Sequence, residues 1–279
     1  MVITIVGIGL IGGSLSIALQ EKGLATHVIG VENDPAHAAK AIELGLVQEC
    51  MSLESAIQKS SLIIIATPIN AAEKLLPFIL DKVSNQVVFD VGSTKSKIGE
   101  AVKSHPKRGR FVATHPMWGT ENSGPTAAIK GAFSKKATVI CDKTESDADA
   151  LEIVEKLYAL LEMHILYMES VAHDMHVAYI SHISHITSFA LANTVLEKER
   201  EEDAIFELAS GGFESTVRLA KSNAAMWVPI FMQNRENILD VLNEHISQLR
   251  KFKSCLEKEN YEYLQELIEN ANGIRRILK

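Results

Sequence analysis

Short apolar segments recur along the first 168 residues, and longer segments with a helical period separate them. The short segments are rich in Val and Ile and are bounded by Gly, Pro and Asn, which is typical of strands buried on both faces of a mostly parallel sheet. The predicted strands are Val2 to Val6, Val28 to Val31, Leu62 to Ala66, Val87 to Val91, Phe111 to Thr114, Ala137 to Cys141 and Ile165 to Tyr167.

Four segments between these strands carry apolar residues at steps of three and four, the period of a helix packed on one side. Alternation of strand and helix predicts a doubly wound α/β domain. The predicted helices are Ile11 to Lys22, Ala36 to Leu44, Ala71 to Leu80 and Asp147 to Leu161.

After about residue 168 the strand pattern stops, and the rest of the chain has only the helical period. We therefore predict two domains, an α/β domain at 1–165 and an all-helical domain at 166–279. Residues 239–279 place Leu and Ile among charges on long amphipathic helices, which commonly pack against a second subunit. The predicted helices are Val171 to Lys198, Ala204 to Ala209, Glu214 to Lys221, Pro229 to Lys258 and Tyr261 to Leu278.

A glycine pattern lies between the first strand and the first helix. Gly7 allows the tight turn, Gly9 lets the backbone approach a pyrophosphate, and Gly12 lets helix and sheet pack closely. Glu32 ends the second strand twenty residues after Gly12, where a ribose-binding carboxylate is expected. The strand before the glycines, the helix after them and the carboxylate at the end of the second strand together predict a Rossmann-type dinucleotide-binding domain. A purely structural glycine turn would need none of these three features.

Glu32 also bears on the choice of cofactor. A carboxylate there accepts hydrogen bonds from a free ribose 2′-hydroxyl and repels a 2′-phosphate, so NAD is favoured over NADP. The alternative is that Glu32 is merely solvent-exposed and that Lys40 reads the ribose. The predicted cofactor-binding residues are Gly7, Gly9, Leu10, Ile11, Gly12, Glu32, Thr67, Pro68 and Gly92.

Candidate catalytic residues follow the predicted strands, because ligands of open α/β sheets bind beyond the carboxyl ends of the strands. His115 ends the fifth strand and is the best candidate for a base, since histidine titrates near neutrality and can take a proton from a substrate hydroxyl. A structural histidine is the competing interpretation. Arg218 can bind a carboxylate through two hydrogen bonds, although its position alone suits a solvent-facing helix residue.

Four histidines lie within 13 residues at the start of the helical region: His173, His176, His182 and His185. On a regular helix they form two pairs on roughly opposite faces, and no Cys joins them, so we predict no metal site. Ser181 and His185 share a face that can form the polar wall of a pocket. His173 and His176 are expected to cap or pack the start of the helix, and Met226 and Trp227 to belong to the hydrophobic core.

The charge composition restricts the classes of molecule that the protein can bind. Of the 279 residues, 35 are Asp or Glu and 28 are Lys or Arg, which gives a formal net charge of −7 without a long basic stripe. Nucleic acid is therefore excluded as a partner, and an anionic substrate has to be held by cations placed near the site.

Cysteine usage and hydropathy address the location of the protein. The three cysteines are far apart and lack paired spacing, which is typical of a reduced cytoplasmic protein. The apolar N-terminus lacks a basic region and a cleavage site, and no segment offers 18 uninterrupted apolar residues. We expect a cytoplasmic protein without signal peptide or membrane span.

Taken together, these motifs resemble the prephenate/arogenate dehydrogenase family of tyrosine biosynthesis, in the family's order from Gly7 to Trp227. Trp118 is a departure, because a smaller residue is expected there in many relatives, and it is expected to narrow the pocket. The matching motifs are G-I-G-L-I-G-G-S-L from Gly7, A-T-P from Ala66, D-V-G-S-T-K from Asp90, H-P-M-W-G-T-E-N-S-G from His115, H-D from His173, S-H-I-S-H from Ser181, G-G-F-E-S-T-V-R-L-A from Gly211 and S-N-A-A-M-W from Ser222.

The resemblance implies oxidative decarboxylation of a cyclohexadienol with NAD as hydride acceptor. The amphipathic helices of 239–279 predict that the protein is a homodimer formed through the helical domain. By motif position, His115 accepts the proton of the ring hydroxyl, and Ser93 hydrogen-bonds both that hydroxyl and His115. Arg218 is implied to bind the ring carboxylate. Ser181 and His185 are implied to surround the substrate side chain, and Glu121 to position or gate the substrate.

Three alternatives to a prephenate dehydrogenase stay open at this point. An arogenate dehydrogenase differs only in whether the substrate side chain ends in an amino or a keto group. A 3-hydroxyacid dehydrogenase of similar layout would need a catalytic Lys, and the surroundings of Lys221 do not match that pattern. A non-catalytic NAD-sensing protein is disfavoured because Ser93, His115 and Arg218 are all present.

Overall fold

Eight strands form one sheet in the computed structural model of this chain, which describes residues 1–199 and 208–277. Their order across the sheet is β3-β2-β1-β4-β5-β6-β7-β8, and all neighbours are parallel except β6 and β7. This confirms the predicted Rossmann-type, mostly parallel sheet. The strands are β1 (Val2–Val6), β2 (His27–Val31), β3 (Glu49–Cys50), β4 (Leu62–Ile65), β5 (Val87–Asp90), β6 (Phe111–Pro116), β7 (Ala137–Cys141) and β8 (His164–Met168).

Helices follow most of the strands and then occupy the rest of the described chain. The predicted helix at 204–209 falls mostly outside the described residues. The helices are α1 (Leu10–Glu21), α2 (Pro35–Glu43), α3 (Leu53–Lys59), α4 (Ile69–Lys82), α5 (Ser96–Glu100), α6 (Ala148–Leu160), α7 (Ser170–Val177), α8 (Ile183–Glu199), α9 (Gly211–Val217), α10 (Ala224–Gln233), α11 (Arg235–Glu257) and α12 (Tyr261–Ala271).

The single helix predicted from 171 to 198 is two helices joined by a π-helical turn, Ala178–His182. A π turn holds one more residue per hydrogen-bonded ring than an α turn, and such turns are frequent at functional sites. The helix predicted from 229 to 258 is likewise divided. Its first part, α10, begins five residues earlier because the side chain of Asn223 accepts a hydrogen bond from the amide of Ala225 and caps the helix.

Each face of the sheet carries its own hydrophobic core. Ile64 of β4 packs in the core that includes Leu15 of α1 and Val154 of α6, whereas its neighbour Ile63 packs in the core that includes Leu76 of α4. Because both faces are covered, the strands are continuous apolar segments rather than alternating ones.

The order of the strands positions the site. From β1 the chain builds the sheet outward through β2 and β3, and then returns to add β4 on the other side of β1. The connections therefore leave the carboxyl ends of β1 and β4 in opposite directions, which opens a crevice for ligands between them.

Two compact units divide the chain at Asn234. The first unit, Met1–Asn234, holds the sheet together with helices α1 to α10, and in the second unit, Arg235–Lys279, α11 packs against α12. The predicted boundary between residues 165 and 166 falls within β8 and is a different division, which stays a prediction. Across residues 1–199 and 208–277, no helix has the length and the apolar character needed to cross a membrane.

Candidate active site

The glycine loop after β1 is tightly packed at two positions and open at a third. Gly7 has a φ of +90°, and a Cβ there would lie 2.8 Å from the carbonyl oxygen of Ala66; a Cβ on Gly12 would lie 2.2 Å from the carbonyl oxygen of Gly7. A Cβ on Gly9 would meet nothing within 4 Å. The loop thus lies close to β4 and leaves free space above Gly9, as the approach of a pyrophosphate requires.

Glu32 at the end of β2 holds this loop in place. Its carboxylate accepts hydrogen bonds from the amide of Ile8 at 3.1 Å, in the glycine loop, and from the amides of Asn33 and Asp34 at 2.9 and 3.1 Å. Oε1 accepts two of these hydrogen bonds and Oε2 one, so Oε2 keeps a lone-pair site for a further donor. The alternative ribose reader, Lys40, forms an ion pair with Glu43 at 2.7 Å.

Three further predicted cofactor residues follow β4 and β5. The Thr67 hydroxyl oxygen is buried without a hydrogen-bond partner among the described residues, which suits contact with a ligand. Pro68 is exposed and precedes the first turn of α4. The amide of Gly92 donates to Asp90 at 2.8 Å, and a Cβ on Gly92 would lie 2.5 Å from the side chain of Ile69.

A cavity of about 480 Å³ opens at the carboxyl ends of β5 and β6, a volume suited to a small molecule. It lies within the first compact unit, and residues from the start of α1 to α10 line it. Every predicted catalytic and substrate-binding residue is among them. The predicted residues that line the cavity are Leu10, Ile11, Ser93, His115, Glu121, Ser181, His185 and Arg218.

His115 is hydrogen-bonded to a second histidine. Its Nδ1 lies 2.9 Å from Nε2 of His173 on α7, and Nδ1 of His173 lies 2.8 Å from a carboxylate oxygen of Asp174. The ring planes of the two histidines cross at 71°. Burial, followed by the electrostatic influence of His173, Lys95 and His182, holds the pKa of His115 well below its ordinary value. His115 is therefore neutral at physiological pH and able to accept a proton.

Ser93 lies at the cavity on the loop between β5 and α5. In the described part of the chain no hydrogen bond joins it to His115, so the predicted contact between them stays a prediction. The loop is held from below by Asp90 and Lys95, which form an ion pair with side chains that are 0% exposed. The Lys95 ammonium also donates to the carbonyl oxygen of Thr114 at 2.6 Å, directly before His115.

Ser181 and His185 form one wall, as their shared helical face predicts. Nδ1 of His185 lies 3.1 Å from the carbonyl oxygen of Ser181, and the His185 ring stacks on Trp227 with 3.4 Å between centroids. Burial lowers the pKa of His185, and the charge of Arg218 lowers it further. The indole N–H of Trp227 is buried and has no hydrogen-bond partner among the described residues.

Arg218 and Glu121 face each other across the opening of the cavity. The guanidinium Nη1 lies 2.9 Å from Oε2 of Glu121, and the two side chains are 51% and 25% exposed. Hydrogen bonds from its own backbone amide and from Arg218 hold the pKa of Glu121 below its usual range. Trp118, expected to narrow the pocket, lines the cavity and packs edge-on against Phe133.

Sequence reasoning missed three features of this site. It assigned His173 to the start of a helix, and the H-D pair in the first helix after the last strand was the available signal for its contact with His115. Trp227, assigned to the core, also lines the cavity. Lys136, directly before β7, lines it as well and was not singled out. Among the described residues, no three His, Cys, Asp or Glu side chains are grouped so that they could hold a metal ion.

Comparison with known proteins agrees with this geometry. Residues 15–167 match the family model described as the nucleotide-binding domain of prephenate dehydrogenase, and residues 169–270 match the model described as its dimerization domain. The prephenate dehydrogenase of Bacillus subtilis is 30% identical over 277 residues, which cover 98% of this chain and 75% of that protein.

Two solved structures have the same fold over the whole chain. Prephenate dehydrogenase from Aquifex aeolicus, in complex with hydroxyphenyl propionate and NAD+, superposes with a TM-score of 0.91 at 26% identity and covers 100% of this chain and 98% of that one. The arogenate dehydrogenase of Synechocystis gives a TM-score of 0.78 at 27% identity, with both chains fully covered.

Proposed function

The chain belongs to the prephenate dehydrogenase family, and on that premise we propose that it oxidises and decarboxylates prephenate to 4-hydroxyphenylpyruvate and CO2 with NAD+. The observation that carries the proposal is one cavity into which three elements open. These are the start of α1 with its glycine loop, a neutral histidine at the end of β6, and the guanidinium of Arg218. A base, a carboxylate anchor and a nucleotide-binding loop are what this reaction needs.

The residues present fit NAD. The space above Gly9 accepts a pyrophosphate, and the Thr67 hydroxyl, which has no partner among the described residues, belongs to a side chain that lies beside Gly7. Oε2 of Glu32 has a lone-pair site left for a ribose hydroxyl. Gly7, Gly12 and Gly92 let the backbone pack closely around that space, and Leu10, Ile11 and Pro68 begin the helices beside it. When bound, NAD+ supplies the acceptor for the hydride that leaves the ring carbon.

His115 moves the proton. It accepts the proton of the ring hydroxyl while hydride departs from the same carbon, and a ring ketone forms. Loss of CO2 then leaves its electron pair in the ring, which becomes aromatic, and the phenol oxygen takes the proton back from His115. Ser93 would hydrogen-bond the hydroxyl and hold it beside His115.

The two carboxylates of prephenate need cations, because the net charge of −7 repels the substrate. Arg218 would bind the ring carboxylate in place of Glu121, with two hydrogen bonds from its planar guanidinium. Ser181 and His185 would surround the side chain of the substrate, and Glu121 would position or gate it. His185, which donates to its own helix through Nδ1, has Nε2 free to accept from a substrate group.

We further propose that the enzyme is a cytoplasmic homodimer with a substrate-binding and dimerisation region at 166–279. The match of residues 169–270 to a dimerization domain supports the dimer. The three cysteines are free, which suits a reducing compartment. Sedimentation of the purified protein tests the dimer directly, and a single species with the mass of one chain would contradict it.

The deciding experiment mixes purified protein with prephenate or arogenate and with NAD+ or NADP+, and follows the reduced cofactor by its absorbance. We expect the strongest signal with prephenate and NAD+. The similarity to the arogenate dehydrogenase of Synechocystis makes arogenate the second candidate. Absence of turnover in all four mixtures would overturn the proposal.

Replacing His115 by Asn should lower kcat by about 100- to 10,000-fold, since the base is lost, while binding of prephenate persists. His105→Asn is the matched control, because the ring of His105 is likewise hydrogen-bonded to a side chain, Asp81 at 3.1 Å, but does not line the cavity. Steady-state kinetics and a direct binding titration separate the two effects. A His115→Asn enzyme with normal kcat would rule out the proposed base.

The pH dependence follows from the lowered pKa of His115. A base with a depressed pKa stays unprotonated as the pH falls through 6.5, the ordinary value for histidine, and loses its function only at lower pH. We therefore expect kcat/KM to stay level down through pH 6.5 and to decline below it. An acidic limb centred above 6.5 would contradict this arrangement.

A further inference from the structure

Three side chains in a row connect the cavity, through α7, to the start of α5. His115 contacts His173, and His173 contacts Asp174, at 2.9 and 2.8 Å. His173 is fully buried and Asp174 is 3% exposed. We call this row, His115–His173–Asp174, the histidine relay.

Asp174 determines which ring nitrogen of each histidine in the relay carries a proton. Its carboxylate also accepts hydrogen bonds from the backbone amides of Lys95 at 2.8 Å and of Ser96 at 2.9 Å, at the beginning of α5. Burial alone would raise the pKa of Asp174, but hydrogen bonds from His173, Ser96 and Lys95 outweigh it and hold the pKa below its usual value. An ionised carboxylate only accepts hydrogen bonds, so Nδ1 of His173 carries a proton.

The remaining assignments follow from the hydrogen-bonding capacity of imidazole. In a neutral imidazole one nitrogen donates and the other accepts, so Nε2 of His173 accepts. The contact with His115 then requires Nδ1 of His115 to be the donor. Nε2 of His115 is therefore left with its lone pair, and it belongs to the ring that lines the cavity.

We propose that His173 and Asp174 are positioning residues, which hold His115 in the tautomer that carries its proton on Nδ1 and offers Nε2 to the substrate. The inference rests on the proposed function, in which His115 accepts the proton of a hydroxyl. When Nε2 takes that proton, the positive charge on His115 is stabilised by its hydrogen bond to His173, which is in turn polarised by Asp174. No proton passes along the relay, and Asp174 stays ionised throughout.

Other charged and titratable groups also face His115. Lys95, paired with Asp90, lies beneath it, and His182 lies on the π turn. Glu121 and Arg218 lie across the cavity and, like His185 and Lys136, belong to its lining. Positive neighbours disfavour the protonated form of His115. The negative charge of Asp174, which is separated from His115 only by His173, favours that form.

Asp174 also links the relay to Ser93. Lys95 precedes α5, and its own side chain provides no cap for that helix, so the carboxylate of Asp174 receives the amides at the start of α5 instead. The loop that carries Ser93 and the ring of His115 are therefore held by the same carboxylate. One group sets the relative position of the two predicted catalytic residues.

The first experiment observes the tautomer without any turnover. Imidazole ¹⁵N chemical shifts of the whole protein, with His115 assigned by the loss of its signals in His115→Asn, distinguish a protonated Nδ1 from a protonated Nε2. We expect protonated Nδ1 in the wild type and a mixture of tautomers in Asp174→Asn. Protonated Nε2 on His115 in the wild type would overturn the proposal even if the enzyme turns over prephenate.

The second experiment compares kinetics of Asp174→Asn with those of the wild type. We expect kcat to fall about 100-fold or more, KM for prephenate to change less than threefold, and the acidic limb of the pH profile to move to lower pH, because a negative charge near His115 is lost. A purely structural role would lower the amount of folded enzyme and leave the pH profile in place, and that result would overturn the proposal.

Two substitutions of His173 leave the helix cap intact. In His173→Gln the side-chain oxygen can reach the position of Nε2 and accept from His115, whereas His173→Leu provides no acceptor. We expect kcat of the Gln variant to be at least tenfold higher than that of the Leu variant, at equal KM. His105→Gln is the control, and its activity should be unchanged. Equal kcat in the two variants would contradict the relay. If the wild type is inactive with every substrate, the proposed function fails, and the tautomer measurement still decides the inference.

Discussion

Two ion pairs near the cavity differ in almost every physical respect. The inner pair, Lys95 and Asp90, is fully buried beneath the catalytic loop, and the outer pair, Arg218 and Glu121, lies at the opening with side chains 51% and 25% exposed. The inner pair is surrounded by further partners. Asp90 also accepts hydrogen bonds from the amides of Gly92 and Thr114, at 2.8 and 3.2 Å.

The comparison teaches which charges build a site and which are available to a ligand. A buried pair loses so much solvation that neither partner can be removed or exchanged without a large loss of stability. An exposed pair is worth little in water, so a substrate carboxylate can replace Glu121 at small cost. Both pairs join an acid to a base, but only the outer one can be rearranged during a catalytic cycle.

The largest effect is expected when the inner pair is broken. Lys95→Met leaves Asp90 as an uncompensated buried charge, which should lower the free energy of unfolding by about 3–5 kcal/mol. Chemical denaturation measures this, and Lys103→Met, which removes an exposed lysine paired with Glu100, should change it by less than about 0.5 kcal/mol. A stable Lys95→Met protein would show that the inner pair is not structural.

Breaking the outer pair should change binding and leave stability alone. Arg218→Ala is expected to raise KM for prephenate by about 10- to 100-fold, the loss of a charged hydrogen bond, with an unchanged melting temperature. Arg218→Lys should restore only part of the lost affinity for prephenate, because an ammonium lacks the planar pair of donors. Lys156→Ala, on α6, is the neutral control. If Arg218→Ala unfolds the protein instead, the two pairs do not differ in kind.

The smallest effect should come from Glu121→Gln. This variant frees Arg218 from its partner without removing the guanidinium, and an exposed pair is worth about 1 kcal/mol or less. KM for prephenate should therefore fall by no more than about fivefold, and raising the salt concentration should shrink the difference from the wild type because exposed charges are screened. A strong rise in KM would show that Glu121 itself contacts the substrate.

Much of the fold could be predicted because the relevant signals are local. The strands of the sheet are short apolar segments, and those at β1 and β4 match the predicted ones to within one residue. The two-residue strand β3 and the short helices α3 and α5 were not predicted, because elements of this length have too few residues to show a period. The antiparallel direction of β7 depends on which neighbour it pairs with, and an apolar segment does not encode that.

The site divides in the same way. The glycine loop, Glu32 and the residues at the ends of β5 and β6 were predicted because each lies directly after a strand in the sequence. The contact of His115 with His173 was not, since 58 residues separate them and only the placement of α7 after β8 brings them together. The roles of the individual residues stay predictions until the variants are measured.

The π turn at Ala178–His182 makes the register of the whole helical wall depend on a single residue. Winding these five residues as an ordinary α-helix would turn everything beyond them by about 100° relative to α7, because the π turn takes up one more residue than α-helix does over the same rotation. His185 would then rotate off Trp227 and away from the cavity, although every side chain of the pocket would still be encoded. Deleting one residue from the turn would instead restore an ordinary α-helix and leave His185 facing the cavity, so a relative with a one-residue gap in this segment can keep the same pocket.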